Sequence, residues 1–359
     1  MMALLSALTL TAALLGAARR RIGPSRRRIA RDGFFSRLAG FTQRHAVLVT
    51  IGVAAVLIGA GAPLLGANLR LPQDSGLPTT IEAVRVAQAM ESRYGQVRES
   101  TVRVVTESAD GTVTTRQYTV DGDPQGAAAQ RLVRDLRANR EPGSYVTGEA
   151  AVLIDLTAKL KAGLPLAAGV AVLAMLVLLF LMTGSIVVPL KALLMNVVSL
   201  GATFGVLVAV FQHGTLSGPL DTLTVGGLSP FVIVLVYAFG FGLSMDYEVF
   251  LLSRIKEGID AGLPNDAAVR NGLQISGRVI TSAALLMLIV FGFFASAKVG
   301  DLEQIGLGLF VAVFVDATLV RCLLVPATMT LLGRWNWWAP PFLRRAHARF
   351  GLREAPVPA

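Results

Sequence analysis

The chain has 359 residues, of which 53% are hydrophobic and only 16% are charged. Because a soluble domain usually carries about 25% charged residues, this composition argues against a purely soluble protein. The formal net charge is +10, and the single cysteine, Cys322, excludes an intrachain disulfide framework and a metal site built from several cysteines.

Apolar stretches that are long enough, or nearly long enough, to cross a bilayer recur along the chain, since a membrane helix needs about 20 apolar residues. The first, Met1–Ala17, has no charge before its apolar core and is followed by arginines, which is the reverse of a signal peptide and favours a membrane helix. A membrane helix is also predicted over 45–66, and a five-helix membrane bundle over 163–333. The six later spans are predicted at His45–Gly66, Leu164–Met182, Ile186–Phe211, Leu228–Leu252, Val279–Phe294 and Ile305–Leu332.

Arginines set the predicted orientation of these seven spans. The linker 18–44 carries nine arginines and the tail 334–359 carries five, whereas the loop His213–Thr224 has neither Lys nor Arg. The positive-inside rule places the linker and the tail in the cytoplasm, and the N-terminus and residues 67–162 outside. Orientation accounts for most of the basic excess, so nucleic-acid binding is not expected.

Residues 67–162 form a predicted extracytoplasmic domain in which helices and strands alternate. This alternation indicates a small α/β domain of the split βαβ, ferredoxin-like kind. The domain shows no nucleophile–base–acid set and no phosphate loop, and the three histidines of the chain are widely spaced, so neither catalytic residues nor a metal site is predicted. Helices are predicted over Thr79–Tyr94, Gln125–Ala138 and Glu149–Leu160, and strands over Thr101–Thr106, Thr112–Val120 and Ser144–Thr147.

Asp246 is the most prominent ionisable residue within a predicted span. It precedes Arg254, at the cytoplasmic edge, by eight positions, which places it about 12 Å inward. Ionisable groups there are costly and tend to face a bundle interior or a water path, so Asp246 is a candidate proton carrier; the alternative is a structural Asp bonded to a neighbouring helix. Tyr247 points about 100° around the helix and would meet a partner on another helix. Gly240 and Gly242 are predicted to allow close helix packing.

Other charged residues in the spans have less specific interpretations. Glu248 is expected at the membrane interface or paired with a loop. Asp316 and Arg321 either form structural ion pairs with other helices or extend a proton path. Lys191 is expected to snorkel towards the cytoplasm. The linker Asp260–Arg278 resembles a surface helix that is opened by Pro264-Asn265-Asp266 and is expected to lie along the cytoplasmic face.

The segment Gly242-Leu-Ser-Met-Asp-Tyr-Glu-Val-Phe strongly resembles the MMPL (mycobacterial membrane protein large) family of RND-superfamily transporters. The stretches beginning at Pro189, Gly277 and Asp316 resemble the ninth, eleventh and twelfth spans of that family. The resemblance implies twelve spans in two pseudo-symmetric halves, each with a periplasmic porter domain. It also implies export of lipids or other hydrophobic compounds driven by protons, with one Asp-Tyr pair from each half meeting at the bundle centre.

By this resemblance, Asp246 and Tyr247 match the proton-relay pair of the second half, and Met1–Arg21 resembles the end of the sixth span. The implied protein is the second half of an exporter in the plasma (inner) membrane, in contact with membrane lipids and a hydrophobic substrate. It would be coupled to protons without another cofactor, and would work with a first-half chain or as a homo-oligomer. The alternative is a non-transporting accessory or scaffold subunit, or a remnant of a truncated transporter gene.

Overall fold

The computed structural model describes residues 33–72, 76–78, 80–94, 100–108, 111–120, 122–215 and 217–351, together with Thr9 and Ala13. The predicted span Met1–Ala17 and most of the arginine-rich linker therefore lie outside the described residues. Within the described part, six helices are long and apolar enough to cross a membrane. They correspond to the six later spans predicted from the sequence.

The helices of the described residues are numbered here in chain order. Two of them continue into a π-helix, over Val208–Gln212 and Asp316–Leu324, and two continue into a 3-10 helix, over Ala62–Gly66 and Gly333–Trp337. The α-helices are α1 Phe34–Arg44, α2 Ala46–Gly61, α3 Glu82–Tyr94, α4 Ala127–Ala138, α5 Glu149–Thr183, α6 Val187–Leu207, α7 Ser217–Leu220, α8 Pro230–Asp260, α9 Asn265–Ala295, α10 Gly300–Val315, α11 Val325–Leu332 and α12 Pro341–Phe350.

Three strands, β1 Ser100–Glu107, β2 Val113–Val120 and β3 Ser144–Thr147, form the sheet of the small domain. The strand order is β2-β1-β3 and both pairs are antiparallel, with Val102 opposite Tyr118 and Val104 opposite Val146. Helix α4 and the first turn of α5 cover one face of the sheet, where Val102, Ala129, Val133, Ala150 and Ala151 form the core. The predicted small α/β domain is therefore confirmed.

Helix α5 joins this domain to the bundle without interruption. It has 35 residues, which corresponds to about 52 Å of helix, and it contains Pro165. The predicted helix Glu149–Leu160 and the predicted span Leu164–Met182 are thus one element, and the predicted domain boundary at residue 162 falls inside it. Gly148 makes the sharp entry from β3 possible, since its φ is +132° and a Cβ there would lie 2.8 Å from the carbonyl oxygen of Thr101.

The helix expected in the linker Asp260–Arg278 begins after Pro264 as predicted, but it is not confined to the surface, because α9 runs on from Asn265 into the membrane span. Small residues let neighbouring helices approach its first half. A Cβ at Gly272 would lie 2.6 Å from Ile255 Cγ1 of α8, and one at Gly277 would lie 2.7 Å from the Phe35 ring of α1. The tightly packed first half of α9 is therefore part of the bundle.

Burial divides the spans into central and peripheral helices. In the most apolar part of each span, 56% of the residues of α6 and of the helix from Gly300 to Trp337 are buried, against 11% for α2 and α5 and 17% for α9. Large apolar side chains such as Leu48, Leu166 and Phe293 are 71%, 73% and 72% exposed. The peripheral helices thus present apolar faces outward, as a bilayer requires.

The segment after α2 ties the α/β domain to the end of the bundle below it. Arg70 N donates to the Leu228 carbonyl at 3.0 Å, and Leu228 N donates to the Asn68 carbonyl at 2.8 Å. On the domain side, Arg70 pairs with Asp123. Buried Gln125 accepts a hydrogen bond of 2.6 Å from Leu71 N. We call this end of the bundle the domain end and the opposite end the far end.

Candidate functional site

Asp316 and Arg321 form a buried ion pair within one helix, in the middle of the bundle. Arg321 Nε donates to Asp316 Oδ2 at 2.7 Å, and the exposed fractions of the two residues are 2% and 7%. Ser244 of α8 completes the arrangement: its hydroxyl donates to Asp316 Oδ1 at 2.8 Å, and its carbonyl accepts from Arg321 Nη2 at 2.6 Å. The predicted ion pairs to other helices are replaced by this pair within one helix, bonded to α8.

The π-helix over Asp316–Leu324 makes this pairing possible. In an α-helix, residues five positions apart differ by about 140° around the axis and point in different directions. A π-helix has hydrogen bonds between residues i and i+5, so it brings such residues to the same side. Asp316 and Arg321 are separated by five positions and lie within the nine-residue π segment. The unusual backbone is thus what allows one helix to neutralise its own buried carboxylate.

Tyr247 lies beside this pair, but Asp246 does not. The Arg321 guanidinium carbon is 4.9 Å from the centre of the Tyr247 ring, which is a cation–π contact. Asp246 is exposed, so within the described chain it meets no partner on another helix, and its predicted role as a proton carrier stays a prediction. Its position is about 200° around α8 from both Ser244 and Glu248, which are buried and define the inner face.

Asp246 belongs to a stripe of residues on α8 that no described element covers. Leu235, Phe239, Gly242 and Asp246 follow one another at spacings of four, three and four residues. Leu235 is 37% and Phe239 is 55% exposed, and a Cβ added at Gly242 would meet nothing within 4 Å. We call these four residues the uncovered stripe. The packing contact expected at Gly242 is therefore not found within the described chain.

Gly240, in contrast, lies at a close helix contact on the inner face. A Cβ there would lie 3.0 Å from Leu200 Cδ2 of α6. The same face borders a small cavity of about 10 Å³ that is lined by Ser244, Tyr247 and Asp316 among others, which is about the space of one water molecule. Close packing at Gly240 thus leaves very little free volume beside the ion pair.

Glu248 and Lys191 are both buried, which contradicts the sequence-based expectation for each. Glu248 is 6% exposed on the inner face of α8, not at an interface or paired with a loop, and Lys191 is 8% exposed and does not snorkel to the surface. The period of α8 explains the first error, because Glu248 falls four residues after Ser244 and so on the same face. Glu248 Oε1 and Lys191 Nζ have no hydrogen-bond partner among the described residues.

A larger cavity of about 320 Å³ lies at the domain end, between the segment after α2 and the chain that leads into α8 and α10. Its wall is mostly apolar, with a few polar groups from the helix starts below. Ser229 Oγ donates to Asp301 Oδ2 at 3.2 Å, and Ser229 N donates to Gln304 Oε1 at 3.2 Å. Arg70 also lines the cavity. No sequence pattern predicts this cavity, because its lining comes from three distant segments.

Within the described residues, six long apolar helices with a small α/β domain at one end define a polytopic membrane protein. The MMPL family model matches residues 66–358, so the chain belongs to the MMPL family. Members of this family are plasma-membrane transporters, not enzymes, and carry a periplasmic porter domain, which here is the α/β domain.

Three relatives show the extent of the similarity. Membrane protein SCO6666 of Streptomyces coelicolor is 41% identical over 99% of this chain and 54% of its own length. The trehalose monomycolate exporter MmpL3 of Mycobacterium tuberculosis is 40% identical over 65% of this chain and 25% of its own. The mycolic acid-containing lipids exporter MmpL11 of Mycolicibacterium smegmatis is 37% identical over 78% of this chain and 29% of its own. The chain therefore spans about half the length of the first relative and about a quarter of the others.

Proposed function

We propose that the chain supplies the second half of a proton-driven exporter of lipids or other hydrophobic compounds across the plasma membrane. Two relatives that share 37–40% of aligned residues are named as exporters of mycolic acid-containing lipids and of trehalose monomycolate. The observation that carries the proposal is the uncovered stripe on α8, which presents Asp246 outward, next in sequence to Tyr247, whose ring contacts Arg321 of the buried ion pair. The mostly apolar cavity at the domain end suits a substrate with an apolar chain and a polar end.

The proposed orientation places the domain end outside and the far end in the cytoplasm, with the C-terminus inside. The far end is rich in basic residues, as the positive-inside rule requires of a cytoplasmic face. Trp335 and Trp338 are 61% and 41% exposed there, which fits an aromatic belt at the interface. The exposed or partly exposed basic residues of this end include Arg37, Arg44, Arg254, Lys256, Arg270, Arg334, Arg344, Arg345 and Arg349.

The uncovered stripe requires a complementary half. A carboxylate that faces lipid near the bilayer centre costs about 2.5–3.5 kcal/mol on insertion scales, so Asp246 is expected to be covered by protein or to line a water path. That complementary half is another part of the transporter, a separate first-half chain or a second copy of this chain. A two-fold dimer would place the Asp246 of one chain near the Tyr247 of the other.

The proposal is tested by proton movement in everted vesicles prepared from the native cells. A pH-sensitive dye reports the gradient, and a fluorescent acyl-trehalose serves as the probe. We expect the probe to dissipate the gradient in the wild type but not in Asp246→Asn, because asparagine cannot take up the proton. Asp260→Asn, at the exposed end of the same helix, is the matched control and should behave like the wild type.

Equal gradient loss in Asp246→Asn and the wild type would rule out a relay through Asp246. A wild-type protein that gives no response to acyl-trehalose, to other acyl lipids or to hydrophobic dyes would contradict an export function.

A further inference from the structure

A second pair of charged side chains lies in the bundle between the Asp316–Arg321 pair and the far end. Glu248 follows Ser244 by one turn of α8, which places it about 6 Å nearer the far end. Lys191 is in the second turn of α6, which begins at that end. Glu248 interacts electrostatically with Lys191, Arg321 and Asp316, so the four groups form one cluster that connects α6, α8 and the π segment.

The two pairs in this cluster differ in how many of their buried polar atoms have hydrogen-bond partners. Both oxygens of Asp316 accept hydrogen bonds, from Ser244 and from Arg321. Glu248 Oε1, Lys191 Nζ and Arg321 Nη1 are buried and have no partner among the described residues. Buried polar atoms are nearly always paired, and ionisable groups inside a membrane protein that are not fully paired tend to mark proton or ion paths. A purely structural role in an ion pair therefore explains the burial of Asp316 better than it explains the burial of Glu248.

The balance of charge in the cluster indicates which of its carboxylates can take up a proton. With two cations, Lys191 and Arg321, and two carboxylates, Glu248 and Asp316, the cluster is neutral when all four are ionised. A proton on Glu248 leaves a net charge of +1 in a buried place, so it would be held only briefly. A proton on Asp316 would in addition disrupt the bonds to Arg321 and Ser244. Glu248 is thus the carboxylate that can accept and release a proton with the least rearrangement.

We propose that Glu248 is a second protonation site, which passes protons between the Asp316–Arg321 pair and the cytoplasm. The positive charge of Lys191 favours the ionised form of Glu248 and so returns it to that form after each passage. This inference rests on the proton-driven transport proposed above. In each passage the Glu248 carboxylate accepts one proton from the side of Asp316 and releases it to cytoplasmic water. Lys191 remains an ammonium ion throughout, and no bond other than the O–H bond forms or breaks.

The protonation of Glu248 is measured by labelling the full chain in lipid nanodiscs with dicyclohexylcarbodiimide, which adds to protonated carboxyl groups in apolar surroundings. Mass spectrometry of peptides then gives the labelled fraction at each carboxyl. We expect little label on wild-type Glu248 at neutral pH and more as the pH falls. Lys191→Met leaves two carboxylates with one cation, so it should increase labelling of Glu248 at neutral pH by about tenfold or more.

Lys256→Met is the matched control, because Lys256 pairs with exposed Asp260 at the end of α8 and does not belong to the cluster. It should leave the labelling of Glu248 unchanged. A Glu248 that is unlabelled at every pH, or whose labelling does not respond to Lys191→Met, overturns the proposal.

A double variant distinguishes a role of Glu248 in proton transfer from a purely structural role of Glu248 and Lys191 as a charged pair. Lys191→Met/Glu248→Gln keeps the cluster neutral, so it should fold and be as stable as the wild type in detergent, while probe-induced gradient loss is abolished. A double variant that retains the wild-type gradient loss contradicts a proton station. If the wild type itself shows no gradient loss, the export function fails, whereas labelling of Glu248 controlled by Lys191 would still identify a protonation site.

Discussion

Asp316 and Arg321 show how a charged pair is tolerated inside an apolar bundle. Taking two charges out of water is costly, and the attraction between them offsets this cost only when the remaining donors and acceptors are also satisfied. Here Ser244 supplies both a donor for the carboxylate and an acceptor for the guanidinium. The Tyr247 ring covers the guanidinium face and so connects the pair to the Asp246–Tyr247 segment.

Replacement of Arg321 by Ala should strongly destabilise the protein. The substitution leaves the Asp316 carboxylate buried without its cation, which typically costs about 3–5 kcal/mol. Thermal unfolding in detergent measures the effect, and we expect a clearly lower midpoint. Arg254→Ala is the control: Arg254 forms a partly exposed pair with Glu257, and such pairs contribute about 0–1 kcal/mol. Equal midpoints for the two variants would show that the buried pair does not stabilise the fold.

At the scale of elements, close helix contacts depend on particular glycines. Helix α6 crosses α2 so closely that a Cβ at Gly205 would overlap the carbonyl oxygen of Ala60. The obstacle is backbone, which cannot move aside as a flexible side chain could. Gly201, one turn earlier on the same helix, has open space within 4 Å of the position a Cβ would take.

Gly205→Ala should therefore separate α2 from α6, whereas Gly201→Ala should not. Overpacking of this kind costs about 1–3 kcal/mol. The midpoint of thermal unfolding in detergent should fall for Gly205→Ala and stay at or slightly above the wild-type value for Gly201→Ala, since alanine favours helix over glycine. A wild-type midpoint for Gly205→Ala would mean that the two helices are further apart than in the structure.

One buried side chain, Gln125, helps to hold the segment after α2 against the porter domain. Gln125 accepts from Leu71 N at 2.6 Å and donates to Glu149 at 3.0 Å, so it links the segment after α2 to the start of α5. Gln125→Ala should make hydrogen exchange at the Leu71 amide several times faster, as expected for loss of about 1 kcal/mol of local stability. Exposed Gln117 on β2 provides the control, since Gln117→Ala should leave that exchange rate unchanged.

At the scale of the whole molecule, the pattern of apolar residues predicts the individual helices and strands well. It does not show where a polar helix continues into a membrane span. Strand β3 was predicted to the residue, and all six later spans were found, because apolar runs and alternation are local signals. The continuity of α9 was missed, since its polar first half indicates a surface helix, whereas the structure continues it into the membrane span. The π-helix has no simple sequence signature, so the pairing of Asp316 with Arg321 could not be predicted.

The expected position of Glu248 on α8 was the main error about the site. The motif around Asp246 indicated function, but an isolated motif does not tell which side of the helix is buried. Counting the period from Ser244 to Glu248 and Leu252 would have placed Glu248 inside and Asp246 outside. The apolar residues on both sides of this helix concealed that period, because a helix that faces lipid or another helix all round has no polar face.

The central claim is that the uncovered stripe meets a complementary half of the transporter, and photocrosslinking in the native membrane tests it most directly. Benzoylphenylalanine replaces Phe239, which precedes Asp246 by two turns on the same stripe, and, as a control, Phe293 on the outer face of α9. We predict a protein–protein adduct from position 239 and lipid adducts from position 293. Lipid adducts alone from position 239 would show that the stripe faces the bilayer and would contradict the account.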